Sequence, residues 1–260
     1  MKILFFDIDG TLTDEKTGEI PQSCKDAIKK AQANGHLCFV NTGRPISTVP
    51  HKIFDLNLDG FICGCGCYIK HKDHVLLEST LPNWLCKEIV NQLVKTKMSG
   101  VLEGSNIAYW EPNNQNPTIA SIKDSHTKEG FNTTRTWFDE DLQYDKATCW
   151  INPDSDFNTF HEFMTQYFVG IKRAEDFYEY IQKDYSKATG IQFLLDYFHI
   201  SFEDAYAFGD STNDLSMLEY VKNSTAMGNS QEIVKKAVSY VTSNVEDNGI
   251  QNALKYWGII

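Results

Sequence analysis

The sequence predicts an α/β fold, a Rossmann-like parallel-sheet core interrupted by a smaller inserted α/β domain. Three observations carry that prediction. Near both ends of the chain, short apolar runs alternate with segments of helical periodicity. The turns after those runs hold Asp, Thr and Gly in clusters, at the strand ends where open α/β sheets bind ligands. Between about residues 82 and 183 the texture changes, with four of the five tryptophans and several Asn and Pro. The expected partition is a core of 1–81 and 184–260 with 82–183 inserted, and 260 residues suffice for both.

Lys2 to Ile8 reads as a buried strand, followed by a turn-rich arm with Gly18 and Pro21. Cys24, Ala27, Ile28 and Ala31 share a face at helical spacing, so 23–34 reads as a helix with Gly35 as its stop. Leu37 to Val40 is a second buried strand. It ends at Asn41-Thr42-Gly43-Arg44-Pro45, where Pro45 suits the first turn of another helix. Short strands follow around 61–69 and 75–78. Within the insertion, Leu85, Ile89 and Leu93 mark a long helix and 147–152 a strand. After Ser186 come a helix to Phe198, a strand at 205–208, a helix from Thr212, a strand at 224–227 and two closing helices.

Composition sets limits on the function. The hydrophobic share is 42% with no apolar run near the ~18 residues of a spanning helix, which excludes disordered and membrane-spanning classes. Net charge is −11 with no basic block, so the long-range field repels nucleic acid and anionic membrane surfaces. Seven scattered cysteines do not form a secreted disulfide framework and fit a reducing, cytoplasmic setting. Cys63, Cys65 and Cys67 recur at a two-residue period and are expected on one side of a strand, as small buried thiols rather than metal ligands.

Four segments carry chemistry. Asp7-Ile8-Asp9-Gly10-Thr11 follows a strand directly, placing two carboxylates at i and i+2. Their repulsion calls for a cation or a shared proton, and Mg2+ is the hard cation suited to oxygen ligands. Thr42-Gly43 brings a hydroxyl and backbone N–H groups to a helix start, which favours an anion. Lys187, just after the cap Ser186, opposes the helix dipole, a conflict that a bound phosphate removes. Gly209-Asp210-Ser211-Thr212-Asn213-Asp214 supplies two more acids between a strand and a helix. Each signal alone is an ordinary cap or turn. Together they describe a Mg2+ and phosphoryl site.

In order and type, these four segments resemble the motifs of the haloacid dehalogenase superfamily of phosphohydrolases, the run Asp-Ile-Asp-Gly-Thr-Leu-Thr most specifically. The insertion between Thr42 and Lys187, the stretch Ala226-Met227-Gly228-Asn229, and Tyr240 to Asn244 with Asp247 and Gly249 resemble its Cof-type subfamily. The resemblance implies Asp7 as nucleophile forming an aspartyl phosphate, and Asp9 as the acid that protonates the leaving alcohol and then activates water. It implies Mg2+ held by the Asp7 carboxylate, the Asp9 backbone carbonyl and Asp210. It further implies phosphate oxygens held by Thr42, Gly43, Lys187, Asn213 and the Ile8 backbone, with Asp214 in support. The implied activity is hydrolysis of small phosphorylated metabolites, sugar phosphates foremost, by a monomer or weak homodimer, with the insertion selecting the substrate.

One departure stands out. Relatives usually carry an Asn-Gly-Ala-like turn after the third strand, and this chain has Cys65-Gly66-Cys67. Two other functions use the same residues. A phosphotransferase or mutase would hand the phosphoryl group from Asp7 to a second hydroxyl, and a phosphate-sensing receiver would keep it as a signal. Asp9 speaks against the receiver, because a lasting signal gains nothing from an acid and base beside it. Along 147–152, Thr148, Trp150 and Asn152 share a face, which is expected to look toward the catalytic cleft with Trp150 stacking on a sugar ring.

Overall fold

The computed structural model describes residues 1–260. The chain opens with β1 (Ile3–Phe6), α1 (Gln22–Ala33), β2 (Leu37–Asn41), α2 (His51–Phe54), β3 (Gly60–Cys63), β4 (Tyr68–His71) and β5 (His74–Glu78). Next come α3 (Asn83–Lys95), β6 (Ser99–Glu103), β7 (Ala108–Trp110), α4 (Pro117–Lys128), β8 (Lys146–Trp150), α5 (Phe157–Met164), β9 (Phe168–Ala174) and β10 (Phe177–Gln182). It closes with α6 (Lys187–Phe198), β11 (Ala205–Gly209), α7 (Leu215–Tyr220), β12 (Asn223–Ala226), α8 (Glu232–Lys236), β13 (Tyr240–Val241) and α9 (Gly249–Tyr256). Two compact units result, one of Met1–Gly43, His51–Leu76 and Ser186–Ile260, the other of Arg44–Pro50 and Leu77–Tyr185. The second unit therefore takes in the short segment after Gly43 as well as Leu77–Tyr185.

The first unit is built on a sheet ordered β13-β12-β11-β1-β2-β3-β4-β5. From β13 to β3 the neighbours are parallel, and β4 runs antiparallel to β3. Every residue of β1 is fully buried, as a central parallel strand covered on both faces requires. From β1 the chain builds β2 and β3 on one side and, after the insertion, β11, β12 and β13 on the other. The switch point thus lies between β1 and β11, and the carboxyl ends of those strands form the crevice. On α1, the buried residues are Cys24, Ala27, Ile28 and Ala31, the face its periodicity predicts.

Two local expectations change. Pro45 does not open a full helix: Ile46–Thr48 form a single 3-10 turn, and α2 is only four residues long. Pro50 offers no backbone N–H and forces Val49 into an extended conformation, so no helix can run from Pro45 through it. Cys63, Cys65 and Cys67 do not share a strand either. Gly64, Cys65 and Gly66 all have positive φ and form a turn between β3 and β4, which breaks the two-residue period.

The second unit is an antiparallel sheet ordered β7-β6-β8-β10-β9. Leu102, Ala147, Cys149 and Tyr180 pack on one face against Leu85, Ile89 and Leu93 of α3 and Phe160 and Met164 of α5. On the other face Trp150 stacks on Phe177, with ring centroids 4.5 Å apart, and joins Val101, Ala108, Trp110 and Ile119. Trp150 is 4% exposed, so its ring is core and offers no open face for a sugar. Alternation along β8 correctly separated its two faces, but both turn out to be covered.

Beside Trp150 that second face is charged. Nearly buried Lys146 lies 3.3 Å from Glu179 and 3.5 Å from Glu103, and Arg173 reaches Glu179 at 3.5 Å. Next to Lys146, Asp145 is buried, and its Oδ1 has no hydrogen-bond partner. Burial, with Glu103 and then Glu78 adding repulsion against the pull of Lys146, pushes its carboxyl up to about 8. A carboxyl ordinarily titrating at ~3.9 then holds a proton in the folded state that the unfolded chain has lost, so stability falls as pH rises from about 4 to 8. Asp145→Asn is expected to raise the melting temperature more at pH 8 than at pH 5. Equal changes at the two pH values would overturn this account.

Candidate active site

Every core motif residue lies in the first unit, those of the first, second and fourth segments just after the carboxyl ends of neighbouring strands and Lys187 at the start of α6. Asp7 follows β1, and its N–H donates to the Phe208 carbonyl at 3.0 Å, pinning it beside β11. Asp210 follows β11, and Thr42 follows β2 with its N–H bonded to the Ile62 carbonyl at 2.9 Å. Lys187 begins α6, where Ser186 Oγ accepts from the Thr189 N–H and the Ser186 N–H donates to Thr189 Oγ1. This reciprocal cap fixes the first turn. Asn41 Nδ2 donates to the Lys187 carbonyl at 2.9 Å and ties that turn to the end of β2.

Lys187 is 1% exposed, and its Nζ donates to Asp7 Oδ1 at 2.6 Å and to Asp214 Oδ1 at 2.5 Å. Its conflict with the helix dipole is therefore met by two carboxylates of the protein itself, a contact between residues 180 and 27 positions apart that no local reading shows. Asp214 is fully buried, and its Oδ2 accepts from the N–H groups of Asp210 and Ser211, which holds Asp210 in place. Thr11 Oγ1 donates to Asp210 Oδ1 at 3.3 Å. Gly10, at φ +75°, lies so close that a Cβ there would stand 2.3 Å from Asp210 Oδ2. Only glycine fits that floor.

Carboxylate oxygens of Asp7, Asp210 and Asp214 lie within 4.8 Å of one another, all three residues buried. Were all three ionised, they would outnumber the single ammonium of Lys187 by two charges, and the carboxyls answer that excess by holding protons. Burial, then repulsion from Asp214, lifts Asp7 to about 7 although Lys187 pulls it down. For Asp210 the same burial, with Asp214 and then Asp7, gives about 8. Burial works against the Lys187 ammonium, yet Asp214 and Asp7 outweigh it and keep the lysine protonated. Hard oxygen donors, converging with excess negative charge, fit a divalent cation.

Asp9 is half-buried and pairs with Thr13 across the turn after β1. The Ile8 carbonyl accepts from the N–H groups of Leu12 and Thr13, closing that turn. Asn213 lies near Gly43, its Nδ2 3.8 Å from where a Cβ on residue 43 would stand. Three supporting residues escaped the sequence reading: Thr11, Asn41 and Asn229. Asn229 Nδ2 donates to the Gly10 carbonyl at 2.9 Å, and its Oδ1 accepts from the Val245 N–H. All three lie within the motif runs, Thr11 after Gly10, Asn41 before Thr42 and Asn229 after Gly228, but each is uncharged and reads locally as an ordinary turn or strand-end residue.

The family profile of haloacid dehalogenase-like hydrolases matches residues 4–254. The chain belongs to that family. It is an enzyme, a phosphatase of the haloacid dehalogenase superfamily, as its relatives also indicate. YkrA of Bacillus subtilis (strain 168), which carries a provisional phosphatase name, is 28% identical over 100% of this chain and 98% of its own. The 5-amino-6-(5-phospho-D-ribitylamino)uracil phosphatase YitU of the same organism is 25% identical over 97% of this chain and 96% of its own. Among solved structures, the subclass IIB sugar phosphatase BT4131 superposes with a TM-score of 0.84 at 28% identity, covering 100% of both chains.

The superfamily motifs thus meet at one buried lysine, and removing it should expose their mutual repulsion. Lys187→Met leaves Asp7 and Asp214 facing each other without a counter-charge and is expected to cost about 3–5 kcal/mol. Urea unfolding at neutral pH checks this. A loss below about 1 kcal/mol, the range of an exposed ion pair, would show that the bridge is not what holds the carboxylates.

Proposed function

We propose that this protein is a Mg2+-dependent phosphomonoester hydrolase working through an aspartyl phosphate on Asp7, with small phosphorylated metabolites, sugar phosphates foremost, as substrates. The observation that carries the reading is the cluster of three buried carboxyl groups, Asp7, Asp210 and Asp214, with a single buried ammonium paired to Asp7 and Asp214. A site short of positive charge binds a phosphate dianion only with a metal, and a lysine already in place supplies the remaining contact.

The Asp7 carboxylate attacks phosphorus while Lys187 holds it in one rotamer and shields the approaching anions from each other. Asp9, two residues on and less buried, donates a proton to the departing alkoxide and then takes one from water as that water attacks the phosphoaspartate. Thr42, Gly43, Asn213 and the Ile8 backbone hold phosphate oxygens around Lys187. Asp214 orients both Lys187 and, through backbone N–H groups, Asp210. The Asp7 and Asp210 carboxylates and the Asp9 carbonyl would hold Mg2+, which when bound neutralises phosphoryl charge. Substrate choice falls to the inserted unit, which holds none of these residues. The sugar phosphatase BT4131, alike over its full length, supports the substrate class. No helix is long and apolar enough to cross a membrane.

Asp7→Asn is expected to abolish turnover of p-nitrophenyl phosphate and to leave no phosphoryl group on the protein by mass spectrometry. Asp9→Asn keeps the nucleophile and should slow hydrolysis of alkyl phosphates by roughly 10²–10⁴-fold. With p-nitrophenyl phosphate its first step recovers and a burst appears. A wild-type phosphoaspartate stable for many minutes in Mg2+ would overturn the hydrolase in favour of a signalling protein. A cation held only by the folded state at a hundred times its dissociation constant stabilises by about 2.7 kcal/mol. Mg2+ should accordingly raise the melting temperature by several degrees, and Asp210→Asn should remove most of the rise. An unchanged wild-type melting temperature would remove Mg2+ from this proposal.

A further inference from the structure

The turn between β3 and β4 takes no part in the chemistry above, yet it touches two of the segments that do. Gly64, Cys65 and Gly66 have φ of 57°, 55° and 101°, three left-handed residues in succession. For Cys65 that conformation is costly, since a side chain crowds the following carbonyl in the left-handed region by about 1–2 kcal/mol. Strain of this kind persists only where surrounding structure over-determines it. Here the surroundings are specific. The Cys65 N–H donates to the Thr42 carbonyl at 3.2 Å, and Cys65 Sγ stands 3.4 Å from the position a Cβ on Gly43 would occupy. Gly66 abuts the residue before Lys187 so closely that a Cβ would come within 2.4 Å of the Ser186 carbonyl oxygen. One turn thereby packs against both Thr42-Gly43 and Ser186-Lys187.

Burial sets Cys65 apart from the other cysteines. At 5% exposed it is the least buried of the seven, while Cys63 and Cys67 on either side are fully enclosed. Its thiol meets a residue with no side chain of its own, beside Asn213, whose Nδ2 would be 3.8 Å from that same Cβ. Glycine carries little steric restraint of its own, so the Gly43 peptide takes its orientation from what packs against it. The Cys65 sulfur is one such wall.

We propose that Cys65 is a positioning residue of the phosphate cradle: its left-handed backbone anchors Thr42 while its sulfur backs the Gly43 peptide, so that the N–H groups of that loop point at the phosphate. This rests on the phosphatase reading above for the identity of the anion. The contribution lies in loop order, not in contact with substrate, and so should appear in phosphate affinity and KM before kcat.

The test compares Cys65→Ala with Cys65→Gly, reading inorganic phosphate binding by thermal shift in the presence of Mg2+ and turnover of p-nitrophenyl phosphate. Both variants lose the sulfur, and Cys65→Gly also removes the left-handed strain, so it folds at least as well as wild type. Both are expected to weaken phosphate binding and raise KM by fivefold or more, with kcat changed less than KM. Binding and KM within twofold of wild type in a folded Cys65→Gly would overturn the proposal. A phosphate shift in wild type that falls in both variants, without turnover by any of them, would sustain the role of Cys65 and refute the phosphatase reading. Absence of any phosphate shift or turnover in wild type would overturn both.

Discussion

The buried Lys187 ammonium, shared between Asp7 and Asp214, is the interaction on which the candidate active site depends. Two carboxylates from the ends of β1 and β11 approach each other only because a cation from the start of α6 stands between them. Removing three such charges from water is costly, and attraction offsets that only where the geometry is good and the remaining lone pairs are satisfied. Asp214 meets that condition with two backbone N–H bonds and the lysine. Asp210 meets it only in part, through Thr11.

Topology makes this convergence possible. Reversal of strand order between β1 and β11 leaves their carboxyl ends adjacent with no connection crossing between them. Gly10 then lets the turn after β1 lie against Asp210, and Asn229 fastens the same turn to the segment before α9. Supports of this sort hold a charged site in one geometry.

The inserted unit solves a different problem. Its sheet is covered by α3 and α5 on one face and carries aromatic and charged clusters on the other. Trp150 belongs to the aromatic cluster, and Asp145 is buried beside Lys146 as an acid with an unsatisfied oxygen. Burying such a carboxyl lowers stability at neutral pH, and the core motifs make no use of it.

The sequence by itself determined the alternation of elements, the buried face of α1, the break in texture near residue 82 and the four motif segments. These are local properties, written in period, caps and residue type within a few positions. It also placed acids at the strand ends, since a turn directly after a buried strand has nowhere else to point them. Tertiary structure alone decided that Lys187 meets Asp7 across 180 residues, that both faces of β8 are covered around Trp150, and that Cys65 turns left-handed against Gly43. The physical reason is the same in each case. Periodicity states which side a residue faces, but what fills that side is set by segments far away in the chain, and for buried charges and strained turns the partner determines the energy.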